Sequence, residues 1–128
     1  MATVADIQTI EDEATKLGPS EQARYLQQHV GQAITAYVCG LDDQKMVGKW
    51  ARGTARPRGI RPVKLQQAYV AVRLITETFG ATTACNWLFG SNSRLDNRAP
   101  AWILRHAAGF DDMEAVVPVA KTFASAPA

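Results

Sequence analysis

The chain has 128 residues, 47% of them apolar, and a formal net charge of only +2. That length excludes anything beyond one domain or one domain with an appended module, and the apolar share builds a core without covalent staples. The two cysteines, Cys39 and Cys85, sit in apolar helical patterns without metal-ligand spacing, which excludes a secreted disulfide framework and reads as reduced, buried thiols.

No apolar run approaches the roughly 18 residues of a membrane span, and the N-terminus carries no basic, apolar, cleavable signal. The expectation is a soluble cytoplasmic protein with no membrane partner. The charge is unevenly spread. Residues 1–23 hold Asp6, Glu11, Asp12, Glu13 and Glu21 against the single base Lys16. Residues 49–64 hold Lys49, Arg52, Arg56, Arg58, Arg61 and Lys64 and no acid. Such a basic segment is either a solvated loop or the electrostatic footprint of a nucleic-acid face.

The acidic segment 1–18 reads as an arm, either a short helix or disordered. Gly18-Pro19-Ser20-Glu21 starts a helix, with Ser20 as cap or Pro19 in the first turn. That helix runs to about Val30 and turns Ala23, Leu26 and Val30 to one side. A second short helix carries Ile34 and Val38 inward and ends at Gly40, with Leu41 inward in the turn. Asp42 or Asp43 caps the next helix, where a carboxylate suits the positive end. There Val47, Trp50 and Ala51 share the inward face, which leaves Gln44, Lys45, Gly48, Lys49 and Arg52 outward. Gly48 either allows close approach of DNA or is simply tolerated, and Gly53 stops the helix.

Residues 54–61 are a loop, because their prolines and glycine forbid a regular element. Pro62 opens a long helix ending at Phe79-Gly80. Its broad stripe of Leu65, Ala68, Tyr69, Val72, Leu74, Ile75 and Phe79 suits a core and an oligomer interface together. Thr82 or Thr83 caps a short helix through Ala84, Trp87, Leu88 and Phe89 that stops at Gly90. After a polar loop, Pro100 to about His106 forms another, with Trp102, Ile103 and Leu104 as its apolar residues. Asp111 or Asp112 caps the last helix, with Val116, Val119, Ala120 and Phe123 inward. Pro118 should kink that helix or end its first part. Residues 124–128 read as a frayed tail. The fold class is all-α.

Chemistry-bearing residues are sparse. His29 and His106 have no partner at ligand spacing, and Ser91, Ser93 and both cysteines have no adjacent base. Asp111, Asp112 and Glu114 look like helix-start acids. The expectation is no enzyme, no metal and no cofactor.

Two short helices around a glycine turn, followed by a basic loop, match the helix-turn-helix layout that places its second helix in the major groove. Gln44, Lys45 and Lys49 lie on the exposed first turns of that helix. Glutamine can read adenine, and lysine can read guanine or hold phosphate. Arg52, Arg56, Arg58 and Arg61 suit phosphates or a minor groove.

Two blocks in order carry a further resemblance. The first is this unit with its Lys49-Trp50-Ala51-Arg52-Gly53 stop and the long helix through Lys64-Leu65-Gln66-Gln67-Ala68-Tyr69. The second is Asn86-Trp87-Leu88-Phe89, then Asn92-Ser93-Arg94-Leu95, then Arg98-Ala99-Pro100-Ala101-Trp102-Ile103-Leu104. Together they resemble Xre/ParS/MbcA-type antitoxins over about Val30 to Phe123. The resemblance implies an N-terminal Xre-like helix-turn-helix bundle over 19–80 and a small C-terminal helical toxin-binding domain over 81–128. It further implies a RES-domain toxin partner that degrades NAD and is blocked by occlusion of its active site. Operator DNA bound for autoregulation follows as well. A homodimer is expected, since palindromic operators match two-fold proteins. By position, Trp87, Asn92, Leu95, Arg98, Pro100 and Phe123 would belong to the toxin-binding module. The acidic arm has no counterpart in the resemblance, and the alanine-rich end suggests no charged plug.

Overall fold

A computed structural model describes residues 1–126, and its longest helix is α5 (Arg61–Phe79). Nine residues of α5, from Lys64 to Ile75, are buried, on more than one side of the helix. An element buried that widely is the axis of a core. Around it lie α1 (Val4–Lys16), α2 (Pro19–His29), α3 (Gln32–Val38), α4 (Lys45–Arg52), α6 (Ala81–Phe89), α7 (Pro100–His106) and α8 (Val116–Ser125). All but α4 have substantial contact with α5, while α4 lies chiefly on α2. The architecture is all-helical. Among the described residues the one strand-like contact is an isolated bridge between Asn92 and Arg98. Among the described residues no helix is long and apolar enough to cross a membrane.

The N-terminal segment takes the helical alternative. Thr3 and Asp6 form a reciprocal capping box at the start of α1. Ile10 and Ala14 are buried in the common core, Glu13 pairs with Arg73 of α5, and Glu11 pairs with Lys121 of α8 at 2.9 Å. The Ala2 amide donates to the Ala124 carbonyl at 2.7 Å. The acids of this segment are thus partly spent on docking it.

At α2 the second of the two expected starts holds: Pro19 takes the first helical position, and the Ser20 hydroxyl is used elsewhere. Other boundaries differ from those expected. At α6 neither Thr82 nor Thr83 caps; Gly80 holds the cap position without a side-chain bond. The last helix begins at Val116, because residues Phe110–Asp112 form a 3-10 turn in which Asp112 accepts from the Ala108 amide at 2.9 Å. Pro118 therefore falls in the first turn of α8, where its missing N–H had no intrahelical partner to lose. No kink is needed. The helix continues through Ala124, which is fully buried, so the tail is shorter than expected. Pro127 and Ala128 lie outside the described residues.

The apolar stripe of α5, expected to serve a core and an oligomer interface together, takes the core role among the chain's own helices. Leu65, Ala68, Tyr69, Val72, Leu74 and Ile75 are all buried, and Phe79 is half-buried against Phe123.

Candidate nucleic-acid interface

The candidate surface is built on α3, the turn 39–44 and α4. Gly40 and Gly53 close α3 and α4 in the same way. Both have φ of 76°, in the left-handed region that glycine adopts without strain. After α3, the Leu41 amide reaches the Ala36 carbonyl at 2.9 Å, and the Gly40 amide reaches Tyr37 at 3.0 Å. After α4, Thr54 reaches Lys49 and Gly53 reaches Trp50, each at 3.0 Å. These are paired Schellman closures, which use up carbonyls that the helix end would otherwise leave free. At the other end of α4 the Asp43 carboxylate accepts from the Lys45 amide at 2.9 Å.

One side of α4 is seated in the core. Val47, Trp50 and Ala51 are buried, as their spacing requires. The Ala51 carbonyl accepts from the Ser20 hydroxyl and from Arg24, both at 3.0 Å, which ties the end of α4 to α2. Gln44, Lys45, Lys49 and Arg52 are exposed. Neither Lys45, Lys49 nor Arg52 enters an ion pair with a described residue.

Gly48 is buried, contrary to its expected outward place. A Cβ there would lie 3.0 Å from the Gln32 amide nitrogen and 3.2 Å from an Arg52 nitrogen. Gln32 is in turn bonded to Gln27 at 2.8 Å, so two glutamines from α3 and α2 lie across this glycine. Gly48 serves helix packing rather than an approach from outside.

The basic segment divides. Arg56 and Arg58 are exposed and line a shallow depression of about 430 Å³ floored by Leu41, Met46 and Trp50. Arg61 reaches the same depression but is only partly exposed. It donates to the Gly40 carbonyl at 3.1 Å, so it is not the free cation its neighbours suggest. Lys64 is 4% exposed and donates to the Arg105 carbonyl at 2.6 Å. Burial lowers its pKa, with smaller contributions from the Arg61 and Arg105 charges. The exposed cations of the surface are therefore Lys45, Lys49, Arg52, Arg56 and Arg58.

Cys39 is buried beneath this region, and its thiol is pushed up to about 12 by desolvation, which removes it as a nucleophile near neutral pH. Cys85 is only partly buried, against expectation. No three His, Cys, Asp or Glu side chains among the described residues are grouped to hold a metal ion.

In the C-terminal segment the expected contact residues separate by burial. Trp87, Leu95 and Pro100 are buried. Asn92 accepts from the Arg94 amide at 3.0 Å and so shapes the loop after α6. These four side chains are placed to hold the segment together. Phe123, expected inward, is 37% exposed, and with Trp87 and Asn92 it lines a hollow of about 220 Å³. Arg98 is exposed, its guanidinium 5.1 Å from the Trp102 ring, and Trp102 stacks on His106 at 4.2 Å. Trp102, one of the apolar residues of α7, is 41% exposed.

The sequence reading did not single out Ser20, Arg24, Gln32 or Arg105 for any role at this surface. Each acts on a backbone or side-chain partner many residues away, except that Gln32 reaches Gln27 nearby. None belongs to a local motif that would mark it. No protein-family model, curated protein or solved structure matches this chain.

Proposed function

We propose that the chain is a DNA-binding antitoxin that neutralises a RES-domain, NAD-degrading toxin and represses its own operator as a homodimer. The observation that carries the DNA half is the exposed row Lys45, Lys49 and Arg52, with exposed Gln44 at the cap position, on a short helix whose opposite side is locked into the core. In this reading α3, its turn and α4 act as a helix-turn-helix and α4 is the recognition helix. Gln44 and Lys45 meet base edges, while Lys49, Arg52, Arg56 and Arg58 hold phosphates. The toxin half is supported by the order of the Trp87, Asn92, Leu95, Arg98 and Pro100 block in the sequence. Arg98, Trp102 and Phe123 supply exposed aromatic and arginine side chains, the types enriched at interface hot spots.

The DNA half is tested by titrating the chain with duplex from the region upstream of its own gene at several salt concentrations. With Lys49, Arg52, Arg56 and Arg58 on phosphate, log K should fall against log salt with a slope of roughly −3 to −4. Measurable binding with a slope near zero would contradict it. A stand-alone transcription regulator would share this surface, and affinity pull-down separates the two. An antitoxin captures the RES-domain product of an adjacent reading frame; a stand-alone regulator does not.

The toxin contact is best located with Arg98→Glu and Trp102→Ala. Truncation of 107–128 would remove Val116, Ala120 and Ala124 from the core and confound the result.

A further inference from the structure

The turn that leads into α4 is held by a helix distant from it in sequence. The Arg105 side chain, near the end of α7, donates to the Tyr37 carbonyl at 3.0 Å, the Leu41 carbonyl at 3.3 Å and the Asp42 carboxylate at 3.1 Å. Its guanidinium carbon lies 4.8 Å from the Tyr37 ring centroid. Arg61 occupies the intervening Gly40 carbonyl. Lys64 fixes the backbone of α7 at that same residue by donating to the Arg105 carbonyl. The site of a Gly40 Cβ would lie 3.5 Å from the Lys64 ammonium and 3.7 Å from the Arg105 carbonyl oxygen. Three cations thus converge on the closure of α3. Carbonyls at a helix C-terminus carry partial negative charge, so cations suit the place. The contacts of the Arg105 side chain span 63 to 68 residues of sequence, and no local element would make them.

We propose that Arg105 is a positioning residue for the DNA-reading surface: it clamps the turn 39–44 and thereby sets the direction of α4. It touches no nucleic acid itself. This role rests on the DNA reading above. The planar fork is what the geometry uses, because one guanidinium serves three acceptors in different directions. A lysine keeps the charge but reaches as a single point donor.

The test is Arg105→Lys in the full chain, with Asp42→Asn as a companion that removes only the exposed ion pair. Thermal unfolding by circular dichroism establishes that both variants fold. Hydrogen exchange of amides 39–46 in the free protein is compared with that of α5, and duplex affinity is measured across salt on the DNA used above. For Arg105→Lys, exchange in 39–46 should rise about tenfold relative to α5, from the loss of charge-assisted bonds to two carbonyls. Duplex affinity should fall about tenfold with the salt slope unchanged. Asp42→Asn should leave affinity within about twofold, since a carboxylate that is 99% exposed contributes little. Unchanged exchange in 39–46 would overturn the clamp. A slope shallower by about one would overturn positioning, because Arg105 would then be a phosphate contact itself. If the unaltered chain binds no DNA, the DNA reading fails and the aiming role with it. In that event the exchange data still show separately whether the clamp exists.

Discussion

Replacing Lys45, Lys49 and Arg52 together by alanine is expected to remove most of the chain's affinity for duplex DNA and leave its fold intact. All three side chains are exposed, and none pairs with a described acid. Alanine is the best helix former, so α4 should not weaken locally. At roughly 1 kcal/mol per lost contact, affinity should drop on the order of a hundredfold at moderate salt. With Lys49 and Arg52 each displacing a counterion and Lys45 reading a base, the salt slope should become shallower by about 1.8. Anisotropy titrations at three or more salt concentrations measure both quantities. An unchanged slope would move the phosphate contacts off α4, and a loss of cooperative unfolding would show that these residues support the fold instead.

Trp50→Ala is expected to have the largest effect on stability. Trp50 is 2% exposed and is the largest fully buried side chain. It comes from the helix that carries the exposed cations, so the same eight-residue element supplies both a core anchor and a surface. Truncating a buried tryptophan to alanine costs about 3–5 kcal/mol. Domains of this size are stable by only about 5–15 kcal/mol, so much of the margin would go. Urea unfolding followed by circular dichroism gives the value, and Trp50→Phe should recover part of it. A loss below about 1 kcal/mol would mean that α4 is not seated as the burial indicates.

Periodicity carried much of the architecture. The spacing of Val47, Trp50 and Ala51 gave the inward side of α4, and Gly40, Gly53 and Gly90 marked three helix ends where they fall. These are local signals, written within a few residues. What failed depended on distance. Lys64 and Arg61 look like members of one basic run, yet each donates to a backbone carbonyl distant in sequence, Lys64 to Arg105 of α7 and Arg61 to Gly40 of the α3 turn. Gly48 follows the outward side of its helix, but Gln32 and Gln27 arrive from two other helices to cover it. The N-terminal segment is polar enough to suggest disorder. Buried Ile10 and Ala14, the ion pairs to Arg73 and Lys121 and the Ala2–Ala124 backbone bond dock it. Pro118 signalled a break because the start of α8 was placed too early. Shifted to Val116, the same proline belongs to a first turn. At the candidate surface the exposed members of α4 and the loop were legible in sequence. Arg105, which braces them, was not, since its partners are 63 to 68 residues away.

The measurement that bears most directly on the antitoxin reading is a growth assay in cells expressing the RES-domain toxin from an adjacent reading frame. The toxin is paired with the unaltered chain, with the Lys45, Lys49 and Arg52 alanine variant, or with Arg98→Glu plus Trp102→Ala. Growth should be restored by the first two, because neutralisation uses the C-terminal surface and not α4, and lost with the third. Failure of the unaltered chain to restore growth, with both proteins present at comparable levels, would contradict the antitoxin reading.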